Sequence, residues 1–299
     1  MVFQKQTRAP TSGVNVTVVQ MTVLINKEIE AQLNRDGAVV VPFFSDHEID
    51  LLKSFYEEIH SQGKPRNFVG GLETTLFSSN IPYKLEVQKG IKTIIEAACN
   101  RFFANYRTLC HIFIVKEKNT TQVLHAHQDF STVDEVKYTS FNLWIPLRDT
   151  DKNSGGLWVI KGSHQLNRPL RGGKVLLPDY SAIDKKLENV ITPLTTKKGD
   201  AILFFHRTIH GSFSNLVDTD RVVVCCGVLP QQAEVCIHYQ KDFDSPLEVH
   251  FPDENFAILT DFTRPDVMEH GPTDTPLVMG YTCKPTPVTM EEIEKVLVR

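Results

Sequence analysis

His127 and Asp129 are the residues of this chain whose types and spacing most directly suggest chemistry. In a β-strand, side chains two positions apart project from the same face, with their backbones about 6.6 Å apart. An imidazole and a carboxylate at that spacing can converge on one metal ion. With a second imidazole from elsewhere in the chain, they would form the two-histidine, one-carboxylate site of non-haem iron(II) oxygenases, which leaves coordination positions open for other ligands.

The chain has eleven histidines, so a His-x-Asp triplet could also occur by chance. His127 is the only one of them that has a carboxylate two residues later. Taken alone, the motif therefore leaves two interpretations open, a metal site and two unrelated strand residues.

A second group of candidate residues lies in the segment 198–215. A glycine turn leads into an apolar strand, with His206 and His210 near the end of that strand. Arg221 opens the next apolar run, which we expect to pair antiparallel beside the strand before it. Arg221 would then lie near the metal and offer a bidentate fork to a carboxylate. We interpret His206 as a packed core histidine and His210 as the distant imidazole of the metal site.

The elements that must position these side chains begin with helices. Residues 27–34, 45–62 and 87–103 have the apolar spacing of amphipathic helices. A strand is expected over residues 38–43 and a long loop over residues 66–83. Ser45 with Glu48, and Thr289 with Glu292, have the spacing of a capping box, and the second pair begins a helix at the end of the chain.

Between residues 109 and 239 the sequence consists of short β-rich runs separated by turn residues. Such runs are typical of a sandwich or barrel rather than a parallel sheet. The expected strands are residues 109–116, 122–127, 140–147, 156–161, 190–195, 201–206 and 221–229. We therefore predict a mainly β protein with flanking helices (α+β) and a core of jelly-roll type.

No repeat and no long linker divides the chain, so one domain is expected over residues 21–299. Residues 1–20 are predicted to be a flexible N-terminal arm. The β-core would span about residues 105–240, and residues 241–299 would wrap around it.

The bulk composition argues against several classes of partner. A net charge of −4 and a pI near 6.3 give no electrostatic reason to expect nucleic acid or an anionic membrane. The longest apolar runs are too short to span a bilayer. The six cysteines form no CxxC pair, so we expect reduced, mostly buried thiols in a cytoplasmic protein.

Four segments of the chain carry a more specific pattern. They are Asp36-Gly-Ala-Val-Val-Val-Pro42, His127-Gln-Asp129, Asn153-Ser-Gly-Gly-Leu-Trp-Val-Ile-Lys-Gly-Ser-His164, and the run from Gly199-Asp200 through His210-Gly-Ser-Phe-Ser-Asn215 to Arg221. In this order they resemble the phytanoyl-CoA dioxygenase family of 2-oxoglutarate oxygenases, over residues 24–229. The fold of that family is a double-stranded β-helix (jelly roll, cupin-like), which agrees with the predicted β-core.

The resemblance implies roles for the candidate residues. His127, Asp129 and His210 would bind Fe(II), and Arg221 with Ser212 would bind the distal carboxylate of the co-substrate 2-oxoglutarate. O2 would be the second co-substrate.

By the same resemblance, Gln128 and Trp144 match positions that line the co-substrate pocket. Asn142 is a further candidate because it lies two residues before Trp144 and shares its strand face. A packed core aromatic is the alternative interpretation of Trp144. We interpret His164 as part of a structural turn rather than as a ligand.

The reaction implied is hydroxylation of an aliphatic C–H bond of a small carboxylate-bearing metabolite, an amino acid or a biosynthetic intermediate, with succinate and CO2 as co-products. Because related halogenases lack the carboxylate ligand, Asp129 favours hydroxylation. Arg168, Arg171 and Lys174 would rim the entrance together with residues 66–84. These basic residues could meet a carboxylate or phosphate of the substrate, and a solvated loop is the alternative. His125 shares a strand face with His127 and is a further candidate substrate contact.

Other functions stay open at this point. An acyl-CoA hydroxylase would use the same mechanism. A cupin-like metal enzyme without 2-oxoglutarate would not need Arg221, and a non-catalytic ligand-binding barrel would need no turnover at all. The substrate, the oligomeric state and the choice between hydroxylation, desaturation and ring chemistry are not determined.

Overall fold

In the computed structural model, residues 23–61, 72–166, 168–173, 175–264 and 271–297 are described in full, and residues 68–69 by their backbone alone. The predicted N-terminal arm and Lys174 lie outside these ranges. The single-domain organisation stays a prediction.

Six helices are present in the described ranges. They are α1 (Lys27–Asp36), α2 (Asp46–Ile59), α3 (Ile81–Phe102), α4 (Asp184–Leu187), α5 (Phe256–Leu259) and α6 (Met290–Val296). Both predicted capping boxes are confirmed, at the starts of α2 and α6. Helix α3 begins six residues earlier than predicted, because Asn80 caps it and Pro82 occupies its first turn, where a missing N–H costs nothing.

Fourteen strands are present in the same ranges. They are β1 (Ala38–Pro42), β2 (Phe68–Val69), β3 (Leu72–Thr74), β4 (Tyr106–Lys116), β5 (Leu124–His127), β6 (Phe141–Pro146), β7 (Leu157–Val159), β8 (Thr192–Pro193), β9 (Asp200–Phe205), β10 (His210–Ser212), β11 (Arg221–Pro230), β12 (Ile237–Tyr239), β13 (Glu248–His250) and β14 (Leu277–Val278). The loop predicted over residues 66–83 contains β2 and β3.

The strands form antiparallel sheets of seven, four and three strands. The seven-stranded major sheet has the order β1-β9-β6-β11-β4-β3-β2, and the four-stranded minor sheet has the order β5-β10-β7-β8. Strands β12, β13 and β14 form the third sheet, in the C-terminal part of the chain. The non-sequential order of the two larger sheets is that of a jelly roll, so the predicted fold class is confirmed.

Helices α2 and α3 cover the outer face of the major sheet. Their apolar stripes, which include Leu52 and Ile91, pack in one buried cluster with Phe113 and Val115 of β4. A second buried cluster contains Trp144 and Cys225 from the major sheet and residues of β7 from the minor sheet. The space between the two sheets therefore has an apolar lining.

The predicted pairing of the strand before His210 with the strand of Arg221 is wrong. Strand β9 pairs with β1 and β6, and β11 pairs with β6 and β4, so β6 separates them. A turn also ends β9 before His210, which starts β10 in the minor sheet. His210 and Arg221 consequently lie on different sheets.

All six cysteines are free, and four of them are buried, as predicted. Cys225 and Cys226 belong to different buried clusters, as expected for neighbours in a strand. None of the helices in the described ranges is long and apolar enough to cross a bilayer.

Candidate active site

His127 and His210 face each other across neighbouring strands of the minor sheet. They are register partners on β5 and β10, with their ring centroids 4.1 Å apart. Asp129 follows two residues after His127, and its carboxylate oxygens lie 3.8 Å from His127 Nε2 and 3.7 Å from His210 Nε2. One nitrogen or oxygen atom from each of the three side chains lies within 4.8 Å of the others. The structure thus brings together the three predicted metal ligands.

The hydrogen bonds of the two histidines set which ring nitrogen is free. His127 Nδ1 donates to the carbonyl of His125 at 2.9 Å, and His210 Nδ1 donates to the carbonyl of Thr208 at 3.0 Å. Each Nε2 therefore keeps its lone pair and points toward Asp129. Burial, with a smaller contribution from the nearby His127, lowers the pKa of His210 to about 4, so the His210 ring is neutral at pH 7.

Asp129 is held at its backbone and at its carboxylate. Its N–H donates to the carbonyl of His206 at 2.9 Å, and Asn142 Nδ2 donates to its Oδ2 at 2.6 Å. Burial raises the pKa of Asp129, but His210 and His127 lower it more, so the net pKa is below its usual value. Asn142, predicted to bind the co-substrate, thus contacts the third metal ligand.

This donor set fits a first-row metal ion such as iron(II). Two imidazole nitrogens with free lone pairs and one ionised carboxylate form the two-histidine, one-carboxylate arrangement on one side of a metal. The hydrogen bonds from the outer ring nitrogens and from Asn142 are the kind of supporting contacts that orient metal ligands.

Arg221 lies at the start of β11 on the major sheet and is almost completely buried. Its Nε and Nη2 have no hydrogen-bond partner in the described part of the chain. Its guanidinium lies 5.6 Å from the ring centre of Trp144. Burial lowers the pKa of Arg221 to about 9, with a smaller contribution from Arg148. A buried guanidinium with unused donors fits an anionic ligand, and a carboxylate matches its fork.

Lys116 is a second buried cation beside Arg221 that the sequence reasoning missed. The two residues are register partners on β4 and β11. Lys116 Nζ donates to Ser212 Oγ at 2.8 Å and to the Phe213 carbonyl at 2.7 Å. Burial, with a smaller contribution from Arg221, lowers the pKa of Lys116 to about 7. Lys116, Ser212 and Arg221 therefore form a buried, positively charged cluster between the two sheets.

Gly155 lies beside this cluster, and its lack of a side chain leaves space next to the two cations. Its φ of +75° is in the left-handed region that favours glycine. A Cβ atom at Gly155 would lie 3.3 Å from Lys116 Cδ and 3.5 Å from Arg221 Nε. A side chain at this position would be strained and would crowd the two cations.

The side chain of Gln128 makes its hydrogen bonds away from this cluster. Tyr180 Oη donates to Gln128 Oε1 at 2.8 Å, and the Gln128 amide donates to the carbonyl of Arg207. Gln128 therefore holds the segment between His127 and Asp129 against Tyr180 and Arg207, and its amide is not free for a co-substrate.

Three other predicted residues have different surroundings. His125 is exposed and lies 3.2 Å from Asp184. His206 is buried and hydrogen-bonded to Ser140, in agreement with its interpretation as a core histidine. His164 lies in a buried one-turn 3-10 helix and bonds to the backbone, as expected for a structural residue.

The prediction that Arg171 rims an entrance is wrong. Its side chain is fully buried and forms a bidentate ion pair with Glu135, with N–O distances of 2.8 and 2.7 Å. Arg168 is bound to helix α6 through Glu292 at 2.9 Å and to the carbonyl of Thr286 at 2.7 Å. Neither arginine is free for a substrate carboxylate, because the chain itself supplies their acceptors.

Comparison with known proteins gives a family match and several relatives. The family model described as phytanoyl-CoA dioxygenase (PhyH) matches residues 33–223. Phytanoyl-CoA dioxygenase 1 of Oryza sativa subsp. japonica is 29% identical over 113 residues, which are 37% of this chain and 40% of the relative. Phytanoyl-CoA dioxygenase domain-containing protein 1 of Danio rerio is 27% identical over 135 residues, 42% of this chain and 45% of the relative. The matches thus span less than half of these curated relatives.

Solved structures with the same fold include two proteins of nogalamycin biosynthesis. The non-haem α-ketoglutarate-dependent carbocyclase SnoK has a TM-score of 0.51 and 17% identity, covering 71% of this chain and 86% of SnoK. The epimerase SnoN, in complex with Fe3+, α-ketoglutarate and nogalamycin RO, has a TM-score of 0.51 and 19% identity, covering 70% of this chain and 85% of SnoN. At these identities the likeness concerns the fold.

Proposed function

The chain belongs to the phytanoyl-CoA dioxygenase family of Fe(II)- and 2-oxoglutarate-dependent oxygenases, and we propose that it hydroxylates an aliphatic C–H bond of a small metabolite. The observation that carries the proposal is the convergence of His127, Asp129 and His210, beside a buried cationic cluster with unused donors. Succinate and CO2 would be the co-products.

In this proposal each group of residues has a separate task. His127, Asp129 and His210 would hold iron(II), which, when bound, supplies the activation of O2 coupled to decarboxylation of 2-oxoglutarate. Arg221 would pair with the distal carboxylate of 2-oxoglutarate, and Lys116 would add a second positive charge. Trp144, beside the Arg221 guanidinium, would keep water from this end of the site.

Ser212 links the two parts of the site. It lies two residues after His210 on β10, and its Oγ already accepts a hydrogen bond from Lys116. Its hydroxyl hydrogen is therefore available to donate to a carboxylate oxygen. This contact would fix the co-substrate relative to the metal ligand on the same strand.

An apolar wall next to the cationic cluster supports oxidation of an aliphatic carbon. Ile114 and Ile112 alternate along β4 with the same facing as Lys116, and both are only partly buried. They pack with Cys225, whose register partner is Ile112. An apolar surface of this kind favours an aliphatic substrate portion. A carboxylate on the substrate would need a cation other than Arg168 or Arg171.

The test of this function is a co-product assay with a substrate screen. The protein, iron(II) and 2-oxoglutarate would be incubated in air with aliphatic carboxylic acids, amino acids and acyl-CoA thioesters, and succinate and oxidised product would be measured. We expect one class to increase succinate formation and to yield a product heavier by one oxygen atom. Stimulation only by acyl-CoA thioesters would favour the acyl-CoA alternative. Absence of succinate despite bound iron and 2-oxoglutarate would contradict the proposal.

We expect the affinity for 2-oxoglutarate to fall as the pH rises above 7. The pKa of Lys116 is lowered to about 7, so this cation is charged below pH 7 and loses its proton above it. Binding of a carboxylate favours the charged lysine, so the Kd for 2-oxoglutarate should rise by up to about tenfold per pH unit above 7. Anaerobic titrations at saturating iron(II) between pH 6 and 8.5 measure this slope. The Lys116→Met variant should bind 2-oxoglutarate more weakly at pH 6.5, and its Kd should depend much less on pH. An unchanged pH dependence in this variant would mean that another group causes it.

A further inference from the structure

Asp129 lies where the sheet no longer fixes the backbone. Strand β5 ends at His127, and the N–H of Asp129 bonds to the carbonyl of His206, which follows β9. The carbonyl of Asp129 accepts a hydrogen bond of 2.8 Å from Arg171 Nε. Two contacts from distant parts of the chain therefore hold the two polar backbone groups of this residue.

Arg171 is itself anchored along the same segment. The N–H of Ser131 donates to the Arg171 carbonyl at 2.8 Å, and Ser131 Oγ donates to the same carbonyl at 2.9 Å. The Arg171 guanidinium pairs with both oxygens of Glu135 and donates to the carbonyl of Arg168 at 2.7 Å. These bonds leave the side chain with a single orientation, in which Nε points at Asp129.

A fully buried ion pair is weak evidence for a role in stability. Burial of two charges costs free energy that their attraction only partly returns, and apolar residues of similar volume often replace such a pair without loss. Glu135 compensates the charge of Arg171, but it does not contact the metal ligands in the described residues. An apolar pair could not reproduce the hydrogen bonds that Arg171 donates to the carbonyls of Asp129 and Arg168, and of these two residues only Asp129 is a proposed metal ligand.

We infer that Arg171 is a positioning residue for the iron ligand Asp129, an inference that rests on the proposed function. It fixes the backbone of Asp129 from the carbonyl side, while Asn142 fixes the carboxylate. Contacts that orient metal ligands contribute about 10–100-fold to metal affinity. The loop after β7, which carries Arg171, is therefore part of the iron site although it supplies no ligand.

The test compares two variants that separate the ion pair from the hydrogen bond. Arg171→Met combined with Glu135→Leu removes the bonds to the carbonyls of Asp129 and Arg168 and leaves neither charge of the ion pair buried. Glu135→Gln weakens the ion pair and keeps Arg171 Nε beside Asp129. Iron(II) affinity would be measured anaerobically by competition with a chelator, together with the melting temperature of the iron-free protein.

We expect the double variant to fold and to bind iron(II) about 10–100-fold more weakly, with its visible absorption in the presence of 2-oxoglutarate shifted. Glu135→Gln should melt at a lower temperature but bind iron(II) within about threefold of wild type. Wild-type iron affinity in a folded double variant would overturn the inference. If the double variant does not fold, Arg171→Lys, which keeps the charge but lacks Nε–H, replaces it with the same expected loss. Absence of iron binding by the wild type would instead refute the proposed function.

Discussion

Replacement of His210 by alanine should lower iron(II) affinity by more than about 100-fold and abolish succinate formation. Loss of a contact that only supports a ligand costs up to about 100-fold, and loss of the ligand itself should cost more. The ring supplies one of three ligand atoms, and in the described residues the metal-binding group consists of His127, Asp129 and His210 alone. Bound iron after anaerobic desalting and succinate after incubation in air would be measured.

His125→Ala is the matched control for this prediction. His125 lies on the ligand-bearing strand β5, but its side chain is exposed and is paired with Asp184. This variant should retain wild-type iron content and at least half of the turnover that 2-oxoglutarate supports. Equal iron content in His210→Ala and His125→Ala would remove His210 from the metal site.

Replacement of Arg221 by methionine should raise the Kd for 2-oxoglutarate by about 10–150-fold, because a hydrogen bond to a charged group contributes about 1.5–3 kcal/mol. The affinity for iron(II) alone should not change, since Arg221 lies on the other sheet. Anaerobic titrations of the two ligands separate these effects. Arg148→Met, which removes a partly buried arginine bonded to the carbonyls of Asp220 and Thr219, is the control and should shift the 2-oxoglutarate Kd by less than threefold.

The same Arg221→Met variant makes a second, independent prediction about stability. Arg221 is buried, and its Nε and Nη2 lack partners in the described residues. An uncompensated buried charge is costly, so the ligand-free variant should melt at the same temperature as wild type or higher. A large drop in melting temperature would mean that Arg221 has a structural role instead.

The metal ligands could be predicted because each of them depends on a local pattern. The His-x-Asp spacing predicted that His127 and Asp129 project to one side, although β5 ends at His127 and Asp129 is held by the hydrogen bond from its N–H to the His206 carbonyl. Arg221 was recognisable because a charged residue opens a buried apolar strand at a fixed distance after His210. The roles of all these residues in binding stay predictions until they are measured.

The parts that could not be predicted depend on contacts between distant segments. The turn that ends β9 before His210 consists of His206, Arg207 and Thr208, without a glycine or proline to mark it, so the assignment of His210 to the minor sheet was missed. Lys116 ends a predicted strand, where a lysine usually marks the surface. The environment of Arg171 is formed by Glu135 and Asp129, about forty residues earlier, and no local pattern shows that pairing.

Formation of the iron(II)–2-oxoglutarate complex tests the central claim most directly. Iron-free protein would be mixed anaerobically with iron(II) and 2-oxoglutarate, and visible absorption would be recorded against protein with iron(II) alone. We expect a broad charge-transfer band that saturates at one 2-oxoglutarate per chain. Iron binding without a band would contradict co-substrate chelation and favour a cupin-like metal enzyme, and absence of metal binding would contradict the iron site itself.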